Sequence, residues 1–220
     1  MAFSDYKHIS QVQQQFQITY REERFLAAGE LAPPPQYLEE YNFNQQHLDL
    51  YASEGSRSEL IILPLLREAY KPHAQQYELW VQKGMAYDEV LRGTPDYLLA
   101  TRSNLGKTVL ALPLVIVAEA KRNDFEEGWG QCLAELVAAQ KLNQNNHRPV
   151  YGVVTDGRRW EFGSLTESLF MKNSEGYSVE HISQLFGALR ELFRLATTEN
   201  GAGSQASRVG VAVEQVGLAA

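Results

Sequence analysis

The chain predicts an α/β domain with a central mixed β-sheet flanked by helices. Three features carry this expectation. Residues 112–121, LPLVIVAEAK, form a nearly continuous apolar run, β-branched at its centre, that suits a central strand buried on both faces. Phe125 to Asn143 comes next, with Trp129, Leu133, Leu136, Val137 and Gln140 at helical spacing. A second apolar run, VYGVVT at 150–155, lies soon after that helix. Strands that meander and then cross over through a helix imply a mixed sheet in an α/β sandwich.

From the start of the chain, residues 1–30 read as a polar helical lead-in, rich in Gln from Gln11 to Gln17 and carrying mixed charge in REERFL. Pro33, Pro34 and Pro35 force an extended spacer. Residues 1–35 are therefore expected as an N-terminal appendage and 36–197 as the main domain. Ser53 to Tyr70 reads as a helix capped by Ser53 or Ser56, with Glu54 or Glu59 favouring its positive end. Pro64 should kink that helix or mark its first turn. YELWVQ (77–82) alternates as a strand, and DYLLATR (96–102) begins another at Asp96. Ser103 to Lys107, with Asn104 and Gly106, reads as the turn before the central strand. After residues 150–155, DGRR is a turn and WEFGSL pairs back as a hairpin. Ser178 to Ala196 reads as a last amphipathic helix, with Ile182, Leu185, Phe186, Leu189 and Phe193 on one side. Residues 198–220 show no period and are expected as a flexible tail.

The 220 residues are 44% hydrophobic and 21% charged, enough for a core that needs neither disulfide nor structural metal. Cys132 is the one cysteine, which excludes an internal disulfide and points to a reducing cytoplasm. The opening MAFSDYKHIS lacks the basic-then-apolar pattern of a signal peptide. The longest apolar run, 109–118, is broken by Pro113 and too short for a bilayer, so no membrane partner is expected. A formal charge of −7 argues against a protein that wraps nucleic acid unaided, because neutralising phosphates supplies most non-specific affinity.

Ionisable residues stand where apolar ones belong. Glu119 and Lys121 end the most apolar strand, and residues two apart on a strand share a face, so the pair projects together while Ala120 faces away. Asp96 opens the preceding strand, 23 residues before Glu119. If the two strands form an antiparallel hairpin, Asp96 arrives beside Glu119. Converging carboxylates repel one another and are costly to desolvate. A hard divalent cation removes that conflict: Mg2+ takes one or two carboxylates plus water and leaves positions for phosphate oxygens. A neighbouring lysine can position water or stabilise transition-state charge. Such a constellation suits phosphodiester hydrolysis.

TPDYLLA followed by LPLVIVAEAKR resembles the PD-(D/E)xK nuclease superfamily. The resemblance covers about residues 53–163, and GVVTDGRRWEF is similar to the strand and hairpin that close the core in the N-terminal nuclease domain of type I restriction enzyme R subunits. It implies a restriction-endonuclease-like core. It also implies that Asp96 and Glu119 bind Mg2+, with Mn2+ as substitute, and that Lys121 is catalytic. Many members add an acidic residue on the helix before the sheet, here Glu59 in SRSELIILPLLREAY. Some carry a glutamine on the next helix, here Gln131 in EEGWGQCLAEL, which reads equally well as a solvated helix position. The catalytic set is thus Asp96, Glu119, Lys121 and Gln131, and the metal set Glu59, Asp96, Glu119 and Ala120. Glu135, one turn after Gln131, reads as a surface residue. Arg57, Arg92, Lys107 and Arg122 have the charge to touch phosphates, but single basic residues are usually solvated.

Two functions compete on this reading. One is a Mg2+-dependent nuclease acting on DNA in restriction or repair, delivered by a protein partner or a homodimer. The other is a non-catalytic interaction protein that keeps the nuclease fold within a larger complex.

Overall fold

The computed structural model describes residues 2–120 and 124–201. The elements run α1 (Ile9–Phe16), β1 (Thr19–Glu23), α2 (Pro35–His47), α3 (Glu54–Arg57), a π-helical segment (Ser58–Ile62), α4 (Leu63–Tyr70), β2 (Tyr77–Val81), β3 (Met85–Ala86) and β4 (Arg92–Gly93). After them come β5 (Tyr97–Thr101), β6 (Leu114–Ala120), α5 (Phe125–Asn143), β7 (Val150–Thr155), β8 (Arg159–Thr166), β9 (Leu169–Asn173), β10 (Tyr177–Ser178) and α6 (Ile182–Gly201).

Every residue of β6 and of β7 is buried, as a sheet centre covered on both faces requires. The mixed sheet runs β1-β9-β8-β7-β6-β5-β2, with β10 pairing β8, while β3 and β4 form a separate small hairpin. Strands β2, β5 and β6 meander antiparallel. Then β6 and β7 lie parallel, which demands a crossover, and α5 supplies it. The β7–β8 hairpin comes after. Helices cover both faces, and a buried apolar cluster lies on each side of the sheet. One is centred on α5 with Trp129, Leu133 and Leu136, the other on α4 and α6 with Leu65, Leu66, Leu189 and Phe193. No helix among the described residues is long and apolar enough to cross a membrane.

Helix α5 begins and ends where local chemistry dictates. The Asp124 carboxylate accepts the Glu127 N–H at 2.9 Å as an N-cap. Gln144 ends the helix in the left-handed conformation (φ 52°). The Asn143 amide grips both main-chain groups of Leu114 at 2.8 Å, tying the helix end to the start of β6.

The stretch 53–70 is helical but not uniformly so. Pro64 has no N–H to give the carbonyl one turn back and its ring crowds that carbonyl. The helix answers with an extra residue: the Leu63 N–H reaches back five positions to the Ser58 carbonyl, and α4 resumes with Pro64 in its first turn.

The N-terminal region does not stand apart as an appendage. Phe3, Tyr6, Val12, Ile18 and Leu26 are buried, and the REE of the expected lead-in belongs to β1, an edge strand parallel to β9. All of β1 is exposed, so its polar sequence solvates an edge rather than filling a core. Asn173 anchors the chain just beyond β1, its side-chain oxygen accepting the N–H groups of Phe25 and Leu26 at 3.1 and 3.0 Å. The expected spacer also ends early. Pro34 is the N-cap residue of α2 and Pro35 its first residue, a position where a missing N–H costs nothing. At the other end α6 runs on to Gly201, so the expected tail boundary at 198 is too early, and residues 202–220 lie outside the described residues.

Gly130 shows how closely the N-terminal segment sits on α5. A Cβ there would lie 2.7 Å from both the His8 amide nitrogen and the Tyr6 carbonyl oxygen, atoms of main chain that cannot swing aside. Gly130→Ala should therefore lower stability by about 1–3 kcal/mol, the usual cost of overpacking. Urea denaturation reads it as a lower midpoint at unchanged slope. A midpoint equal to wild type would place residues 6–8 elsewhere.

Candidate functional site

The antiparallel pairing of β5 with β6 sets Tyr97 opposite Ala118, which brings Asp96 against Glu119. Their contacts interlock. The Asp96 N–H points at Glu119 Oε1 (3.4 Å), and the Ala120 N–H donates to Asp96 Oδ2 at 2.8 Å. The Asp96 carbonyl in turn accepts the Gln82 N–H at 2.8 Å, holding the entry to β5 in place. The juxtaposition expected from the strand order is therefore present.

Glu119 is only 1% exposed and faces α5. There the Gln131 amide donates to Glu119 Oε2 at 2.8 Å and, from the same nitrogen, to Glu135 Oε1 at 3.1 Å. Gln131 is thus a buried partner of Glu119, not a solvated position. Glu135 corrects the sequence reading: it is fully buried rather than on the surface. Gly128 through Gln140 are all buried, because α1 and the N-terminal segment cover the outer side of α5. The signal that identifies Glu135 is a Gln and a Glu four apart in a stretch, Gly128–Ala139, otherwise made of small and apolar residues.

Burial pushes the Glu135 carboxyl well above its ordinary range, and the charge and hydrogen bond of Glu119 push it further. The Gln131 amide works against them, and the Asp96 charge adds to the rise. Glu135 therefore holds its proton more tightly than a solvated carboxyl does. Two atoms in this cluster, Gln131 Oε1 and Glu135 Oε2, are buried without a hydrogen-bond partner.

The remaining expected members are placed differently. Glu59 lies exposed in the π-helical segment, and its charge acts at a distance, on Tyr97. Burial lifts the Tyr97 phenol to about 12, with smaller contributions from Asp96 and Glu59. The Ala120 side chain packs into the cluster on the α4 side, so its main-chain carbonyl is the only oxygen it offers a metal. Lys121 lies outside the described residues. Among the described residues no group of three His, Cys, Asp or Glu side chains is arranged to hold a metal ion. What does converge is a pair of carboxylates, Asp96 and Glu119, beside a buried amide oxygen without a partner. The two carboxylates match the donor chemistry of Mg2+, which takes one or two protein carboxylates and completes its shell with water.

No protein-family model matches the chain, and no curated protein matches its sequence.

The buried acid pair makes metal-free stability depend on pH. The Glu135 carboxyl has a folded value above its ordinary 4.5, so the fold binds a proton that the unfolded chain releases. Its contribution is whole below pH 4.5 and is lost as pH rises from there towards the raised value. In chelator, wild-type stability should fall across that window by up to about 1.4 kcal/mol per pH unit for one proton. Glu135→Gln should remove this slope and be the more stable protein at pH 8. Urea melts at pH 5, 6.5 and 8 measure it; parallel pH profiles for the two proteins would contradict the raised Glu135 carboxyl.

Proposed function

We propose that this chain is a metal-dependent nuclease that hydrolyses phosphodiester bonds of DNA on a restriction-endonuclease-like core. The observation that carries the reading is the interlocked Asp96–Glu119 pair at adjoining strand ends, held from behind by Gln131. In this reading Asp96, Glu119 and the Ala120 carbonyl hold Mg2+, while Glu59 stays outside the set. The ion, when bound, lowers the pKa of water and stabilises charge on phosphate. Gln131 fixes the Glu119 carboxylate so that its other oxygen stays directed towards Asp96. Lys121 comes directly after Ala120 in the sequence, and its assigned role is to position water or offset charge at the reacting phosphate. Burial and the Glu119 charge favour the neutral form of Glu135, which limits the charge gathered in the core.

A second reading, a non-catalytic interaction protein with the same fold, is favoured by the formal charge of −7. Metal binding separates the two. Millimolar Mg2+ or Mn2+ should stabilise wild type, because the ion binds the folded arrangement and not the dispersed carboxylates of the unfolded chain. At a hundredfold excess over the dissociation constant the gain is about 2.7 kcal/mol. Asp96→Asn keeps an oxygen to accept the Ala120 N–H and should fold, yet lose most of that gain. Equal metal shifts in thermal melts of the two proteins would remove Asp96 from the ligand set.

Catalysis gives the companion measurement. With Mn2+, cleavage of single-stranded, nicked and duplex DNA should fall on the order of 10²–10³ in Lys121→Ala, the usual loss for one well-aimed electrostatic contact. Cleavage at the wild-type rate by folded Lys121→Ala would end the assignment of Lys121.

A further inference from the structure

On the α4 side of the sheet, at the turn between β7 and β8, lies a second group of polar residues. Gly157 makes that turn with φ +85°, and its Cα is so close to α3 that a Cβ would stand 3.4 Å from the Cβ of Arg57. Arg57 is not a solvated cation. It is 8% exposed, and both Nε and Nη1 are buried with no hydrogen-bond partner. Its guanidinium lies 5.7 Å from the Tyr51 ring centre. Arg158, exposed on the turn, places its own guanidinium 4.5 Å from the same ring. Asp156 and Glu180 lie near enough to attract Arg158, but among the described residues no carboxylate meets the Nε or Nη1 of Arg57.

Two guanidiniums on one phenol ring, one of them buried with N–H groups unmet, is a costly arrangement for a fold to keep. An anion relieves it. Guanidinium forks match carboxylate and phosphate, and a phosphate, with more than two acceptor oxygens, is the better match for two forks and a phenol at once. The two places share one end of the sheet, on opposite faces. Thr155 pairs with Ala120 across β6 and β7, and Gly157 is two residues on. Ser58, next to Arg57, accepts the Tyr97 hydroxyl at 3.3 Å through its carbonyl, and Tyr97 is the residue after Asp96.

We propose that Arg57, Arg158 and Tyr51 form a phosphate-binding subsite that takes a backbone phosphate of the nucleic acid, flanking the one attacked beside Asp96 and Glu119. Its assignment to nucleic acid rests on the nuclease reading; the phosphate site itself does not.

The test uses the full chain in chelator, where no cleavage is read, so loss of the nuclease reading leaves both arms interpretable. In the first arm, inorganic phosphate should raise the melting temperature of wild type above that in chloride of equal ionic strength. The shift should vanish in Arg57→Met and Arg158→Met, and Arg57→Met, relieved of an unpaired buried charge, should melt no lower than wild type without phosphate. In the second arm, a fluorescent single-stranded oligodeoxynucleotide is titrated at several salt concentrations. The slope of log Kd against log salt should fall by about 0.7 for each phosphate contact removed. Both effects together support the proposal. A phosphate shift with an unchanged slope keeps the phosphate site but overturns its assignment to nucleic acid, leaving a free phosphorylated molecule as ligand. Equal responses of all three proteins in both arms overturn the subsite. Should Arg57→Met fail to fold, Arg158→Met, altered only on the surface, carries both arms.

Discussion

Glu119 is the constraint around which the rest is arranged. It is a carboxyl-bearing residue on a strand with no exposed position, so water cannot solvate it and protein groups must. Two elements answer. The loop into β5 directs the Asp96 main-chain N–H at it, and helix α5 offers the Gln131 amide, with the raised carboxyl of Glu135 one turn further on. Each requires the other to be in register. A one-residue slip of β5 against β6 would move Asp96 away from Glu119 and turn every apolar side chain of β5 over. The buried pattern of β6 and the polar cluster at its end are therefore enforced by the same pairing.

Most of the sheet centre is legible in the sequence because its elements bury apolar faces. The runs at 77–82, 96–102, 112–121 and 150–155 and the helix at 125–143 announce themselves through periodicity, and their observed bounds differ by a residue or two at most strand ends. Hydropathy does not reveal the parts that solvent touches. Strand β1, TYREE, contributes main-chain hydrogen bonds to an edge and, apart from the Tyr20 ring against Phe170, no apolar face. The short β9 is half-buried and hidden by its lysine and asparagine, although Asn173 is buried and holds the incoming chain. The triple proline misleads for a different reason: a proline run is extended only until its last member starts a helix.

The site divides along the same line. Asp96 and Glu119 are legible since strand alternation and order are enough to bring them together. Gln131 is visible but ambiguous, and Glu135 is misassigned, because single-helix amphipathicity assumes one wet face. Helix α5 has none along Gly128–Gln140; the segment from Phe3 to Phe16 covers it. No local pattern at 125–143 says that residues more than a hundred positions earlier will lie on its far side. Glu59 and Arg57 exchange places in the same way. The acid, two residues on, faces solvent while the base is buried, because the π-helical segment ahead of Pro64 changes the helical phase between them and the rest of the helix.

The N-terminal segment connects the fold to the site. Gly130 lies against the main chain of residues 6–8, and the next residue, Gln131, is the one that grips Glu119. Helix α5 is thus held between a backbone contact on its outer side and a hydrogen bond on its inner side, one residue apart. Displacing the outer contact by even a fraction of an ångström must be absorbed either by the helix axis or by the amide. The helix axis is pinned at its far end by Asn143 on Leu114. The amide is the softer of the two, and a hydrogen bond of 2.8 Å weakens quickly with misplacement. So residues 6–8, which touch none of the acids of the cluster, help set the distance between the amide and Glu119. A polar lead-in that hydropathy marks as expendable is part of what keeps a buried carboxylate in position.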